Sequence, residues 1–117
     1  MRVLIADDSS FMRAILKNYL KTFDDISTEE AENGEDAIKK FKTFKPDLVL
    51  LDIIMPKKNG LEVLKEIKAI NAFAKVVIIT SVGQTKMVEE AMRAGALKYI
   101  TKPFKYEEIA EVINEFR

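Results

Sequence analysis

At 117 residues, with 48% apolar and 32% charged side chains, the chain has the size of one domain that buries most of its apolar surface, and its composition argues against disorder. Nineteen basic and nineteen acidic residues cancel, so no basic excess draws it to nucleic acid or to an anionic membrane. It has no cysteine and no histidine, which excludes disulfides and thiolate or imidazole ligands. Any metal must then be held by oxygen, as magnesium, calcium or manganese are.

The chain opens on an apolar run, Val3 to Ala6, that ends in Asp7-Asp8. That run is too short for a signal peptide, and no stretch approaches the roughly 20 apolar residues that span a bilayer. A soluble cytoplasmic domain is expected. Ser9 and Ser10 are good N-caps for a helix. Its apolar stripe is Phe11, Met12, Ile15, Leu16, Tyr19, Leu20 and Phe23. Ile26 to Ala31 is polar and acidic, which suits an edge strand, where charge discourages edge-to-edge association. Asn33-Gly34 signals a turn, and Glu35 to Phe44 reads as a second helix ending before Pro46.

Leu48 to Met55 is the centre of the pattern. Four apolar residues precede a lone carboxylate, Asp52, and a further apolar run is cut off by Pro56. Such a run suits a parallel strand covered on both faces. Asn59-Gly60 opens a third helix with Leu61, Leu64, Ile67 and Ile70 in register, and Val76 to Ile79 is another buried strand, ending in Thr80-Ser81. A fourth helix closes at Gly95. Leu97 to Ile100 is a fifth strand before Thr101-Lys102-Pro103, and a last helix begins near Tyr106. Five βα units in strict alternation predict an α/β fold, a single domain over 1–117 with a doubly wound parallel sheet, right-handed crossovers and helices on both faces.

In a parallel sheet every strand's carboxyl end lies on one edge, where open α/β sheets bind ligands. That edge gathers Asp7 and Asp8, Asp52, Thr80 and Lys102. Taken singly, each has a bland reading: a helix-start cap, a strand-end acid, a structural threonine, a loop Lys-Pro. Their convergence favours a functional site. Two carboxylates about 4 Å apart repel by roughly 4 kcal/mol at an effective dielectric near 20. Lys102 cannot offset three of them, whereas one divalent cation brings the formal charge to zero. Mg²⁺, which keeps waters and binds one or two carboxylates plus phosphate oxygens, suits this ligand set. Asp52 then has the chemistry of a phosphoryl acceptor, with Lys102 and the Thr80 hydroxyl placed to meet the transferring oxygens.

The segments VLIADDS, PDLVLLDIIMPKKNGLEVL, VVIITS and AGALKYITKPF, in this order, resemble the receiver domains of two-component response regulators over the whole chain. Among them the chain looks like the stand-alone chemotaxis regulators of the CheY type. The resemblance implies a flavodoxin-like (βα)5 fold, α/β/α in layers, with strand order 2-1-3-4-5. It implies Asp52 as phosphoacceptor, and Mg²⁺ held by Asp7, Asp8, Asp52 and the backbone carbonyl of Ile54. It further implies Thr80 as switch hydroxyl, Lys102 as the site lysine before a cis peptide to Pro103, and Tyr99 as an aromatic that swings inward on phosphorylation. Ile54 and Val82 flank the acceptor at positions that tune phosphoryl lifetime, and both are apolar, so slow self-dephosphorylation is expected.

The partners implied are a CheA-like histidine kinase, a motor-switch or adaptor protein on the face of helix four, strand five and helix five, and a phosphatase. The chain is expected to be a monomer, and no enzyme beyond its own phosphorylation and dephosphorylation. Other classes fit less well. Three acids repel the phosphate of a flavin, G-x-G-x-x-G is absent, and the Asp-x-Asp and cap of haloacid dehalogenase-type phosphatases are missing. The alternative is a protein-binding scaffold of receiver fold with a vestigial or engineered site.

Overall fold

The computed structural model describes all 117 residues. Five strands, β1 (Arg2–Ala6), β2 (Ser27–Ala31), β3 (Leu48–Asp52), β4 (Val76–Thr80) and β5 (Lys98–Thr101), alternate with five helices. The helices are α1 (Ser10–Leu20), α2 (Gly34–Phe44), α3 (Gly60–Ile70), α4 (Thr85–Arg93) and α5 (Tyr106–Phe116). All strand pairs are parallel, in the order β2-β1-β3-β4-β5. The polar strand β2 lies at an edge, and the apolar β3 and β4 lie inside and are buried throughout.

Strand alternation divides the core in two. Leu4, Val49, Leu51, Val76 and Ile78 face α2, α3 and α4, packing on Ala37, Phe41, Leu64, Ile67 and Ala91. Val3, Ile5, Leu48, Leu50, Val77 and Ile79 face α1 and α5, on Leu16, Leu20, Ile109, Val112 and Ile113. The layers are therefore three helices, the sheet, and two helices.

Polar residues set where the first three helices start. Ser9 Oγ accepts from the Met12 amide at 3.2 Å, Asn33 Oδ1 from Asp36 at 2.9 Å, and Asn59 Oδ1 from Glu62 at 3.0 Å. Glu62 completes a capping box by accepting from the Asn59 amide at 3.2 Å. No side chain caps α4 or α5. The first turn of α5 does hold Glu107 and Glu108, whereas that of α4 holds no acid and includes Lys86.

Beyond one-residue shifts at the starts of β1, β2 and α2, two boundaries differ from the sequence pattern. Helix α1 ends at Leu20, and Phe23 packs on the core from the turn beyond it, because Thr22 and Phe23 bond back to Tyr19 and Leu20 in a tighter turn. Leu97 lies just before β5 and is 43% exposed: the chain leaves α4 through Gly95 at φ +110°, and the Leu97 amide pairs with Val76 before the ladder begins.

Candidate functional site

Four strand ends deliver the candidate residues to one edge. Strand β1 ends beside Asp7, whose side chain is buried while that of Asp8 is exposed. Strand β3 ends at Asp52, also buried. The start of α3 presses on this strand end: the Gly60 amide donates to the Ile53 carbonyl at 2.8 Å, and a Cβ on Gly60 would lie 2.3 Å from the Asp52 carbonyl oxygen. Only glycine permits that approach.

Asp7, Asp8 and Asp52 present carboxylate oxygens within 4.8 Å of one another. Lys102 enters from the β5–α5 loop, across a cis peptide to Pro103, and donates to Asp7 Oδ2 at 2.9 Å and Asp52 Oδ2 at 3.4 Å. The Ile54 amide donates to Asp52 Oδ1 at 3.3 Å and the Ser9 amide to Asp7 Oδ1 at 2.9 Å. Burial, reinforced by the neighbouring Asp7, outweighs Lys102 and pushes the Asp52 carboxyl up to about 6. For Lys102 burial alone would lower the pKa, but its bond to Asp7 and the charges of both acids outweigh that and raise it. The site is short of positive charge. An oxygen-lined pocket with surplus anionic charge fits a hard divalent cation such as Mg²⁺.

Thr80 is buried at the end of β4, its hydroxyl 3.3 Å from the Ser81 carbonyl, and its own carbonyl accepts from the Lys102 amide at 2.7 Å. Strand β5 is in register with Thr80 opposite Thr101 and Ile78 opposite Tyr99. The Tyr99 ring is 50% exposed and borders a groove of about 550 Å³ between α4 and β5, also lined by Thr80, Val82, Val88 and Met92. Ile54, just beyond the strand of Asp52, and Val82, in the loop after Thr80, are both exposed, at 48% and 79%.

Two features of the site were not read from the sequence. Lys102 pairs with Asp7 more closely than with Asp52, and charged side chains from α1 and β2 hold the Asp7 backbone. Arg13 Nη1 donates to the Asp7 carbonyl at 2.7 Å and its Nε to Glu30 Oε1 at 3.0 Å, while Lys17 bonds the other Glu30 oxygen at 3.0 Å. The available signal was the spacing of Arg13 and Lys17, one helical turn apart facing an acidic edge strand.

The sequence profile of the response regulator receiver domain matches residues 3–114. The chain belongs to that family. Within it the chain is of the CheY type: it is 43% identical over 114 residues to the chemotaxis protein CheY of Thermotoga maritima and 44% to that of Bacillus subtilis, each match covering 97% of this chain and 95% of the relative. The CheY of Halobacterium salinarum is 42% identical, with 97% and 94% covered. The fold matches a response regulator receiver domain protein from Clostridium thermocellum with a TM-score of 0.92 and 29% identity, covering 98% of this chain and 92% of that one. The receiver domain of NtrX from Brucella abortus superposes with a TM-score of 0.90 at 29% identity, covering 97% and 96%. No helix is long and apolar enough to cross a membrane.

Proposed function

We propose that this protein is a phosphoacceptor switch that takes a phosphoryl group from a CheA-like histidine kinase onto Asp52. The observation that carries this reading is the cluster of three carboxylates, two of them bonded to the one half-buried ammonium of Lys102, with Asp52 held by a single backbone amide at 3.3 Å and by that lysine at 3.4 Å. In the transfer an Asp52 oxygen attacks phosphorus. The bond from phosphorus to the donor's imidazole nitrogen breaks, its electron pair stays on that nitrogen, and an acyl phosphate forms. Asp7, Asp8, Asp52 and the Ile54 carbonyl would hold Mg²⁺, which supplies charge neutralisation at the phosphoryl oxygens when bound. Lys102 is released from its share of the Asp52 charge to pair with a phosphoryl oxygen. Apart from forming and losing this acyl phosphate, the protein turns over no substrate.

The Thr80 hydroxyl, bonded only weakly to Ser81, turns to the phosphoryl group. The loop through Gly83 follows, and Tyr99 moves from its half-exposed position into the groove beside α4. This remodels the face of α4, β5 and α5 for a motor-switch or adaptor protein. Reversing a 1:99 population takes about 5.5 kcal/mol of differential stabilisation, which a few charge-assisted bonds of about 1.5–3 kcal/mol each supply. The similarity to proteins named chemotaxis protein CheY supports a place in chemotaxis.

The test is intact mass after incubation with acetyl phosphate and Mg²⁺, with Asp52→Asn alongside. One phosphoryl adduct that requires Mg²⁺ and is lost in the variant is expected. No adduct on folded protein would overturn the reading in favour of a binding scaffold.

A further inference from the structure

The amino-terminal edge of the sheet, opposite Asp52, carries features that phosphoacceptor chemistry does not use. Between α3 and β4 the chain projects Phe73, which at 89% exposure is the most exposed of its large apolar side chains. The turn that carries it is held rigidly. The Phe73 amide donates to Asn71 Oδ1 at 2.9 Å, the Ala74 amide to the Asn71 carbonyl at 3.1 Å, and Lys68 Nζ to the carbonyls of Ala72 and Ala74 at 3.4 and 2.5 Å. An aromatic ring on a preorganised tip loses little entropy when it is covered.

Beside this tip lies a groove of about 360 Å³ lined by Phe41, Lys42, Lys45, Pro46, Ile70 and Asn71. Its floor is apolar, and Ile70 is 48% exposed there. Its rim is cationic. Neither Lys42 nor Lys45 takes part in an ion pair. The next acid in the chain, Asp47, is engaged by the Arg2 amide at 2.7 Å. A second copy would bring the same lysines face to face and repel. A nucleic acid would find only two cations, Lys42 and Lys45, to meet its phosphates, on a chain with no net positive charge.

We propose that this edge docks an acidic amphipathic protein segment, with an apolar side chain in the groove against Phe41 and Ile70, carboxylates on Lys42 and Lys45, and Phe73 covered beside the groove, where Asn71 joins the two. Because the groove lies across the sheet from Asp52, docking there is compatible with either phosphorylation state. It tethers the protein to a partner while the α4–β5–α5 face does the switching.

The test is an amide chemical-shift titration of the intact protein with a short peptide carrying leucines on one helical face and glutamates on the other. The expected result is shifts confined to residues 41–46 and 70–74, unchanged when beryllofluoride saturates Asp52. Affinity should fall roughly tenfold or more in Phe73→Ser. The double variant Lys42→Glu, Lys45→Glu should lose the glutamate peptide and gain its lysine counterpart. Shifts elsewhere, no shifts, or indifference to charge reversal would overturn the proposal. So would concentration-dependent dimerisation abolished by Phe73→Ser, which would make a second copy the occupant, or stronger displacement of the same amides by oligo-dT. Apart from the beryllofluoride comparison, none of these results depends on whether Asp52 accepts phosphate.

Discussion

Arg13 donates a 2.7 Å hydrogen bond to the carbonyl of Asp7, tying α1 to the turn that presents the site's acids. Glu30 holds the guanidinium in place from β2, and the Arg13 side chain is only 13% exposed, so the contact is well shielded from solvent. Arg13→Ala should free the Asp7–Asp8 turn and weaken Mg²⁺ binding several-fold. Calorimetric titration of the purified variant would measure this, with Asp52 phosphorylation falling only as far as metal occupancy does. An unchanged Mg²⁺ affinity would show that the turn holds itself.

Asp52 is costly to the fold. Burial, with Asp7 adding to it, raises its carboxyl from 3.8 to about 6. A carboxyl whose folded pKa lies above its unfolded one destabilises the protein when ionised. The cost is complete above about pH 6 and fades as pH falls toward 3.8. That interval corresponds to at most roughly 3 kcal/mol. In EDTA near neutral pH, Asp52→Asn should therefore melt higher than the parent, with the gap narrowing in acid and on adding Mg²⁺ to the parent. Equal stabilisation at all pH values would place its origin outside the carboxylate charge.

Gly60 should resist replacement in a way its helical position hides. Gly→Ala in an ordinary helix interior gains up to about 1 kcal/mol. Here a Cβ would lie 2.3 Å from the Asp52 carbonyl oxygen and 2.6 Å from Ile53 Cα. Both are backbone, so α3 must shift. Gly60→Ala should cost roughly 2 kcal/mol or more in urea unfolding, and should slow phosphorylation by moving Asp52.

The phosphoryl lifetime should answer to Ile54. Its side chain is apolar and half exposed two residues beyond Asp52, so it cannot orient an attacking water. Ile54→Asn supplies an amide that can, and should speed decay of the acyl phosphate at least several-fold. Loss of the phosphoryl mass adduct over time measures it, and an unchanged decay would sink the idea.

The chain contains no tryptophan, so Tyr99→Trp creates a single reporter of the switch. From its half-exposed start the emission should shift to the blue on phosphorylation, and this shift should vanish when Thr80→Ala is added.

Much of this arrangement is legible in the sequence, for identifiable reasons. Leu48 to Leu51 and Val76 to Ile79 are uninterrupted apolar runs, and only strands covered on both faces bury every side chain; their central places follow. Asp52 is legible as the one carboxylate interrupting such a run, and Ser9, Asn33 and Asn59 mark helix starts because their side chains satisfy free amides. What escapes is anything decided by approach in space. Lys102 and Asp7 are 95 positions apart, and no local pattern says which acid the ammonium prefers. Phe23 continues a helical stripe by spacing although the chain turns away at Leu20. Leu97 reads as strand because apolar spacing ignores the turn imposed at Gly95.

Helix α4 starts without help. Gln84 makes no side-chain bond to the first turn, no acid lies there, and Lys86 opposes the helix dipole. Its opening amides should therefore exchange with deuterium before those of the four other helices, and the helix should fray from the end that meets Thr80. An element so lightly anchored can be moved by a few new bonds.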